Sequence, residues 1–227
     1  MEALDFTCCD IDQAVFFHYN QSRLIVVPVH INNCSLVAKT KGTINNFKIN
    51  IGKYITITDL GKIHWLLGLK IHHDYLNHIL YFLQQSYIDF IIYQYSFEDL
   101  KPLLLSIDPN ICLTSFFTSS STLKISYIAY IPYHETVGSL IYVALGTCSN
   151  ITYTVQAVFY FSSNPLEAHW KAVKQIYYYF LGTKNLWLYY SRKTKKLVDY
   201  TDTDRIIAKD CHTISRYVFM LHTRTIS

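Results

Sequence analysis

The stretch Ala14-Val15-Phe16-Phe17-His18-Tyr19-Asn20-Gln21-Ser22-Arg23-Leu24-Ile25-Val26-Val27-Pro28-Val29-His30-Ile31-Asn32-Asn33-Cys34-Ser35-Leu36-Val37-Ala38 decides the fold class. Two runs rich in β-branched and aromatic residues, Ala14 to Tyr19 and Leu24 to Ile31, flank the polar tetrad Asn20 to Arg23, which predicts a hairpin loop. A third run, Cys34 to Ala38, follows Asn32-Asn33. A short amide side chain bonds to nearby backbone and tolerates positive φ, so this doublet can turn one strand into the next without glycine. The outcome is an antiparallel sheet. Pro28 lacks an N–H for the ladder, which places it at an edge or a bulge.

Downstream the apolar spacing changes. Ile44, Phe47, Ile51 and Tyr54 recur at helical intervals, so a helix is predicted to cover the sheet. Ile63 to Ile71 and His78 to Leu83 read as a strand pair joined through His73 to Asn77. Ser86 then caps a helix carrying Ile88, Ile91, Ile92 and Tyr95. Thr114 to Thr122, crowded with Ser and Thr, is the best linker candidate. Beyond it three helices are predicted: His134 to Leu145, Ile151 to Phe161 and Pro165 to Leu181. Gly146 and Gly182 stop the first and last. Asn164 is the expected cap of the last, with Pro165 at its first position and Glu167 closing a capping box. Trp170, Val173, Tyr177 and Phe180 form its stripe. Leu186 to Tyr190 and Lys196 to Thr201 read as a closing hairpin, before a final short strand, Tyr217 to Leu221.

Composition narrows the class further. Of 227 residues, 51% are hydrophobic and only 16% charged, with 20 Tyr, 13 Phe and 7 Gly, which excludes disorder, collagen and low-complexity linker. A formal charge of +4 permits a nucleic-acid partner without requiring one. No apolar run reaches the roughly 18 residues that span a bilayer, and Met1 to Asp5 lacks a basic, apolar leader. The expectation is a chain without membrane contact, intracellular, in cytoplasm or nucleus. Cys8, Cys9, Cys34, Cys112, Cys148 and Cys211 are scattered without a C-x-x-C pair and read as free thiols.

Candidate chemistry is sparse. His64, His72, His73 and His78 cluster in sequence, but neighbouring strand residues point to opposite faces, so His72 and His73 cannot share one ion without a bulge. No G-x-S-x-G elbow, P-loop or G-x-G-x-x-G occurs. Between Pro165 and Val198 lie seven basic residues (Lys171, Lys174, Lys184, Arg192, Lys193, Lys195, Lys196) against one acidic, Glu167, interleaved with Tyr177, Tyr178, Tyr179, Trp187, Tyr189 and Tyr190. Cations neutralise phosphates and rings stack on unpaired bases, so this is either a nucleic-acid surface or a solvated helix face above core aromatics. Asp202 and Asp204, at i and i+2, share one face if extended. They form either a weak site for a hard cation such as Mg²⁺ or an acidic surface turn.

Taken in order, several segments resemble the reverse transcriptase of Ty1/copia-type retrotransposons. They are Ile57-Thr58-Asp59-Leu60-Gly61-Lys62-Ile63-His64-Trp65-Leu66-Leu67-Gly68, Gln85-Ser86-Tyr87-Ile88-Asp89 and Pro132-Tyr133-His134-Glu135-Thr136-Val137-Gly138-Ser139-Leu140, followed by Phe161-Ser162-Ser163-Asn164-Pro165, Ala168-His169-Trp170-Lys171-Ala172-Val173-Lys174 and Tyr200-Thr201-Asp202-Thr203-Asp204. The resemblance implies an α+β chain: a partial palm and thumb over 1–113, a linker over 114–130, a mainly helical connection region over 131–196 and the truncated start of a ribonuclease H-like domain over 197–227. It implies RNA-directed DNA polymerase ancestry, nucleic-acid partners, and two Mg²⁺ ions on three aspartates in intact members, since in-line phosphoryl transfer needs charge neutralised at both reacting oxygens.

The family's aspartate doublet falls on Asn32 and Asn33, its third aspartate is expected upstream of Met1, and Asp202 matches the first ribonuclease H carboxylate, whose partners are expected beyond Ser227. No catalytic residue of the polymerase is therefore intact, and no cofactor is expected in this chain. Against the family pattern, Asp5 stands for Gly, Cys8 and Cys148 for Arg, Asn150 for Asp and Arg216 for Gly. Single G-to-A or C-to-T transitions explain each, which implies a decaying copy. Cys211-His212 and Gln175 replace residues that would strengthen phosphate contacts.

Overall fold

The computed structural model describes residues 1, 4–20, 23–98, 101–108, 113, 130–191, 197–204, 214–221 and 224–226. They form two compact units, 1–63 and 64–227, each with its own core. The Ser/Thr-rich candidate Thr114 to Thr122 lies outside the described residues, as does the rest of the 114–130 linker except Tyr130.

In the first unit, β1 (Thr7–Cys8), β2 (Val15–Asn20) and β3 (Arg23–His30) pair antiparallel in sequence order. The far side of β3 takes two short strands, β4 (Asn33–Cys34) and β5 (Val37–Ala38). Asn20 pairs with Arg23, so the hairpin loop is two residues, not the expected four, and Gln21 and Ser22 lie outside the described residues. Pro28 explains why β4 and β5 are separate: its carbonyl accepts the Ser35 N–H at 2.9 Å, but it has no N–H to return, and the ladder lapses there. Pro28 therefore sits at neither the edge nor the bulge expected: β3 is an inner strand, and its second ladder resumes in the same register on both sides of the lapse.

Helix α1 (Lys41–Ile51) starts where the Thr40 hydroxyl accepts the Thr43 N–H at 3.3 Å. Its Phe47 and Ile51 pack on Ile25 and Val27, which share one face of β3, and Phe6 meets Phe47 edge-on at 5.2 Å. Tyr54 falls beyond the helix and is exposed, so the predicted stripe is one turn too long.

The second unit begins with β6 (Trp65–Leu66), β7 (Leu69–Asp74) and β8 (Ile79–Leu83). The single strand expected over Ile63 to Ile71 is instead a tight hairpin, with Leu67 at φ +49° and Gly68 at φ +73° between the paired Leu66 and Leu69. Two left-handed residues match the primed turn that suits strand twist. Gly68 has a second reason to lack a side chain, since a Cβ there would lie 2.6 Å from the Tyr142 hydroxyl oxygen.

Among the described residues four α-helices follow: α2 (Gln85–Gln94), α3 (Tyr133–Gly146), α4 (Thr152–Tyr160) and α5 (Glu167–Thr183). Ile88, Ile91, Val137, Leu140, Val143, Val155, Val158, Val173, Ile176, Tyr177 and Phe180 form one dry core. The buried Tyr133 hydroxyl donates to the Val158 carbonyl at 2.7 Å, satisfying the ring's polar end. The expected caps need correction. Ser86 lies inside α2, whose N-cap is Gln84 without a side-chain cap bond. Helix α5 begins at Glu167, and the imidazole of His169, not Asn164 or Glu167, accepts the Leu166 N–H at 3.0 Å. His169 is fully buried and stacked on Phe161 at 4.0 Å, which aims its ring at the helix start.

The expected closing hairpin is overturned as well. Strand β9 (Leu188–Ser191) pairs with β8, completing the antiparallel order β6-β7-β8-β9, while β10 (Leu197–Asp204) pairs with β11 (Ile214–Leu221) and β11 with β12 (Arg224–Thr225). Leu188 and Tyr190 find Phe82 and Leu80 opposite them on β8, apolar partners that outweigh proximity in sequence. The architecture is thus α+β with antiparallel sheets, as the sequence predicts. Among the described residues no helix is long and apolar enough to cross a membrane.

Candidate functional site

The β3–β4 hairpin presents the Asn doublet. His30 pairs with Asn33, so the turn proper is Ile31-Asn32 and Asn33 already belongs to β4. His30, Ile31, Asn32, Asn33 and Cys34 are all exposed. The positive φ expected of an asparagine falls on Ile31, at +52°. Register is the reason: with His30 and Asn33 paired and the next ladder contact fixed by Val29 and Cys34, the first turn residue must go left-handed whatever its side chain. A β-branched residue there stores strain on the order of 1–2 kcal/mol.

Chemically the tip offers neutral carboxamides. An amide oxygen can ligate a cation but brings no charge, and Mg²⁺ surrenders its waters mainly to carboxylates and phosphates. The residues present do not fit a magnesium pair. Among the described residues no group of three His, Cys, Asp or Glu converges on a possible metal position, here or around the histidines. His72 and His73 do face opposite ways, the first against Tyr81 at 5.7 Å and the second stacked on Tyr75 at 3.8 Å. His78 sits left-handed in the β7–β8 turn, at φ +54°. Asp5 is also left-handed, at φ +57°, where its carbonyl meets the His18 Nδ1 at 2.8 Å.

Among the described residues the basic, aromatic stretch is divided between helix α5 and the segment that leads into strand β9. Lys171 pairs with Glu167 one turn away at 2.9 Å, and Lys184 pairs with Asp89 at 2.6 Å. Lys174 is half-buried on α5, while Arg192, Lys193, Lys195 and Lys196 lie outside the described residues. Tyr177 belongs to the core, where burial drives its hydroxyl pKa far upward, and Tyr179 accepts a hydrogen bond from Asn150 at 2.6 Å. Trp187 and Tyr189, by contrast, are carried off the helix onto the four-stranded sheet, beside Tyr81 at 6.0 and 5.9 Å. The signal that finds this is the alternation of Trp187 with Tyr189 and of Lys70 with His72, not helical spacing.

Asp202 lies within β10, in register with Arg216, because that strand runs to Asp204 and not to Thr201. Asp202 and Asp204 are therefore at i and i+2 on one strand. Of the cysteines, Cys8, Cys9, Cys34 and Cys148 are free thiols, and burial raises the pKa of Cys148. Cys112 and Cys211 lie outside the described residues.

Comparison with known proteins places this arrangement. The chain is 28% identical over 194 residues, 85% of its length, to the retrovirus-related Pol polyprotein from transposon TNT 1-94 of Nicotiana tabacum, covering 15% of that polyprotein. It is 24% identical over 200 residues, 88% of its length, to the Pol polyprotein from transposon RE1 of Arabidopsis thaliana, covering 13% of it. A transposon Ty5-1 protein of Saccharomyces cerevisiae matches at 25% over 214 residues, 92% of this chain and 67% of that protein. The homologues of this chain are thus Pol polyproteins of Ty1/copia-type retrotransposons, and it corresponds to a segment spanning about one seventh of the two plant polyproteins. No family model matches the chain, and no solved structure matches it.

Proposed function

We propose that the chain is a remnant of a Ty1/copia-type reverse transcriptase that has lost polymerase chemistry. The observation that carries this reading is the β3–β4 tip, where Asn32 and Asn33 occupy the positions at which the resemblance calls for two metal-binding aspartates. Each replacement removes a unit of negative charge and leaves a side chain of nearly the same shape. The turn survives and the reason for two divalent ions to gather there does not. Asp202 on β10 keeps one carboxylate of the ribonuclease H-like pattern, too little by itself to hold two ions. A primer-extension assay of the purified protein, run with Mg²⁺ and with Mn²⁺, is expected to yield no template-dependent product. Synthesis that disappears when Asn33 is replaced by Ala overturns the reading.

The second reading is retained nucleic-acid binding without chemistry, drawn from the seven basic residues of 165–198 and supported by the exposure of Trp187 and Tyr189. Affinity for oligonucleotides should fall as salt rises, because each neutralised phosphate releases counterions. No affinity at low salt, or affinity indifferent to salt, removes it.

A further inference from the structure

The two neighbouring amides of the β3–β4 tip differ in the backbone N–H that follows each. Ser35 donates to the Pro28 carbonyl at 2.9 Å, so the ladder alternates from a bonded pair there, through a non-bonded pair at Val29 and Cys34, to a bonded pair at His30 and Asn33. The Cys34 N–H therefore points away from β3. Because β4 is the last strand of its order, no strand among the described residues receives it. The N–H of Asn33, by contrast, faces the His30 carbonyl. Asn33 is exposed and shares a face with His30 opposite. Other asparagines are better protected. In α1, Asn45, Asn46 and Asn50 precede N–H groups tied into the helix. The amides of Asn77 and Asn150 are held, by Asp74 at 2.7 Å and by Tyr179 at 2.6 Å. Asn164 precedes a proline, and Asn185 precedes a Leu186 N–H bonded to the Thr183 carbonyl at 2.9 Å.

We propose that Asn33 is a site of spontaneous deamidation, at which the chain regains a carboxylate without any enzyme. The Cys34 backbone nitrogen forms a bond to the Asn33 side-chain carbonyl carbon, and that carbon's bond to the amide nitrogen breaks. Ammonia leaves with the proton that the backbone nitrogen gives up. Water then opens the cyclic imide at either carbonyl, giving Asp or its backbone isomer isoAsp. One amide and one water become one carboxylate and one ammonium, and nothing is oxidised or reduced. An imidazole gives and takes protons near neutral pH, and His30 stands opposite with its Cβ roughly 4.5–5.5 Å from that of Asn33, placed to carry the proton to the leaving group. Cys34 is unbranched at Cβ and so crowds the closing ring less than Ile or Val would. Closure also needs rotation of the Asn33 backbone out of its extended form. Strand β4 is only two residues long, and opening it releases the left-handed strain at Ile31. The product carries charge at one of the two positions where the family resemblance expects metal-binding aspartates. That consequence, unlike the chemistry, rests on the reading given under Proposed function. One carboxylate is too few for two ions, so the chain gains charge and not polymerase chemistry.

The test ages the full chain in warm, mildly alkaline buffer made with isotopically labelled water and follows it by tryptic mass spectrometry. Cleavage after Arg23 and Lys39 releases one peptide, 24–39, whose only asparagines are Asn32 and Asn33. Asn33 is expected to convert first, about fivefold faster than Asn32, where one more backbone hydrogen bond must open. It should take up solvent oxygen and yield isoAsp together with Asp, the signature of ring closure that direct hydrolysis lacks. In urea the preference for Asn33 should shrink, since the ladder that sets it is gone. Cys34→Ile and His30→Gln change exposed tip residues, leave both cores intact, and should each slow conversion several-fold. Asn32 converting first, Asp formed without isoAsp, or a preference unchanged in urea overturns the site. Conversion of His30→Gln at the wild-type rate overturns the part given to His30. Primer extension on fresh and aged protein separates the two readings. Absence of conversion strikes the site and leaves the loss of polymerase chemistry standing, whereas conversion accompanied by template-dependent synthesis strikes that loss and leaves the site standing.

Discussion

The β3–β4 tip and helix α5 are two regions of the chain that have fared differently. At the tip, five consecutive side chains face solvent, the two that the family resemblance expects to be charged are neutral, and the backbone is strained at Ile31. In α5, His169, Ala172, Val173, Ile176, Tyr177 and Phe180 are fully buried, and even the polar end of Tyr177 reaches the Thr136 carbonyl at 3.4 Å. Exposed carboxylates that work only as metal ligands can be exchanged for amides at almost no cost to folding. A buried ring cannot be exchanged so cheaply, because its loss leaves a cavity. Substitution at the tip and substitution in α5 therefore carry very different costs to folding.

That contrast can be broken, most forcefully in the core. Phe180→Ala should destabilise the second unit by about 3–5 kcal/mol, read from the midpoint of urea unfolding. A loss below about 1 kcal/mol would mean that α5 is no better packed than the tip. Gly146→Ala comes next. Its Cβ would stand 2.3 Å from the Gln84 amide nitrogen, and Gln84 is 1% exposed and pinned by the Thr147 hydroxyl at 2.7 Å, so it cannot swing aside. Overpacking on the order of 1–3 kcal/mol is expected, and Gln84→Ala in the same chain should relieve part of it.

At the tip the sign reverses. Ile31→Gly releases the left-handed strain and should stabilise the first unit by up to about 1 kcal/mol in thermal unfolding, after the greater chain entropy of glycine is subtracted. Asp5→Gly should act in the same direction, more weakly, because Asp tolerates that region better than Ile. A destabilised Ile31→Gly protein would show that the Ile31 side chain makes a contribution its 83% exposure does not suggest.

The smallest effect is electrostatic. Hydrogen bonds from the Asn77 side chain and backbone hold the Asp74 carboxyl below its usual range, and Lys48 together with the Gly61 N–H does the same for Asp59. A carboxyl with a lowered folded pKa contributes stability above its unfolded value, near 4, and that contribution is lost as pH falls through the folded value. Asp59 is exposed and Asp74 half-buried at the surface, so solvent screens much of the effect. Asp74→Asn should slightly lower stability at neutral pH, leave it unchanged in strong acid, and so flatten the acid limb of the stability–pH curve.

Much of the helical region is legible because its signal is local. Trp170, Val173, Tyr177 and Phe180 recur at helical spacing and are buried as a stripe, since one face of a helix is set by 3.6 residues per turn wherever the helix docks. The start of α5 is not legible in the same way. Asn164, Pro165 and Glu167 carry the usual cap chemistry, but stacking on Phe161 brings His169 to the Leu166 N–H, and no propensity of residues 164–167 encodes that contact.

The amino-acid sequence alone determines the alternation of apolar residues in β2 and β3, the helical stripes and the absence of charge at Asn32-Asn33, because period and side-chain charge are properties of neighbours along the chain. Tertiary structure alone decides that Leu188–Ser191 joins β8 and not the strand that follows it, which brings Trp187 and Tyr189 beside Tyr81. That pairing depends on which free edge lies close in space, and it is fixed by packing between segments about a hundred residues apart, not by the residues on either side.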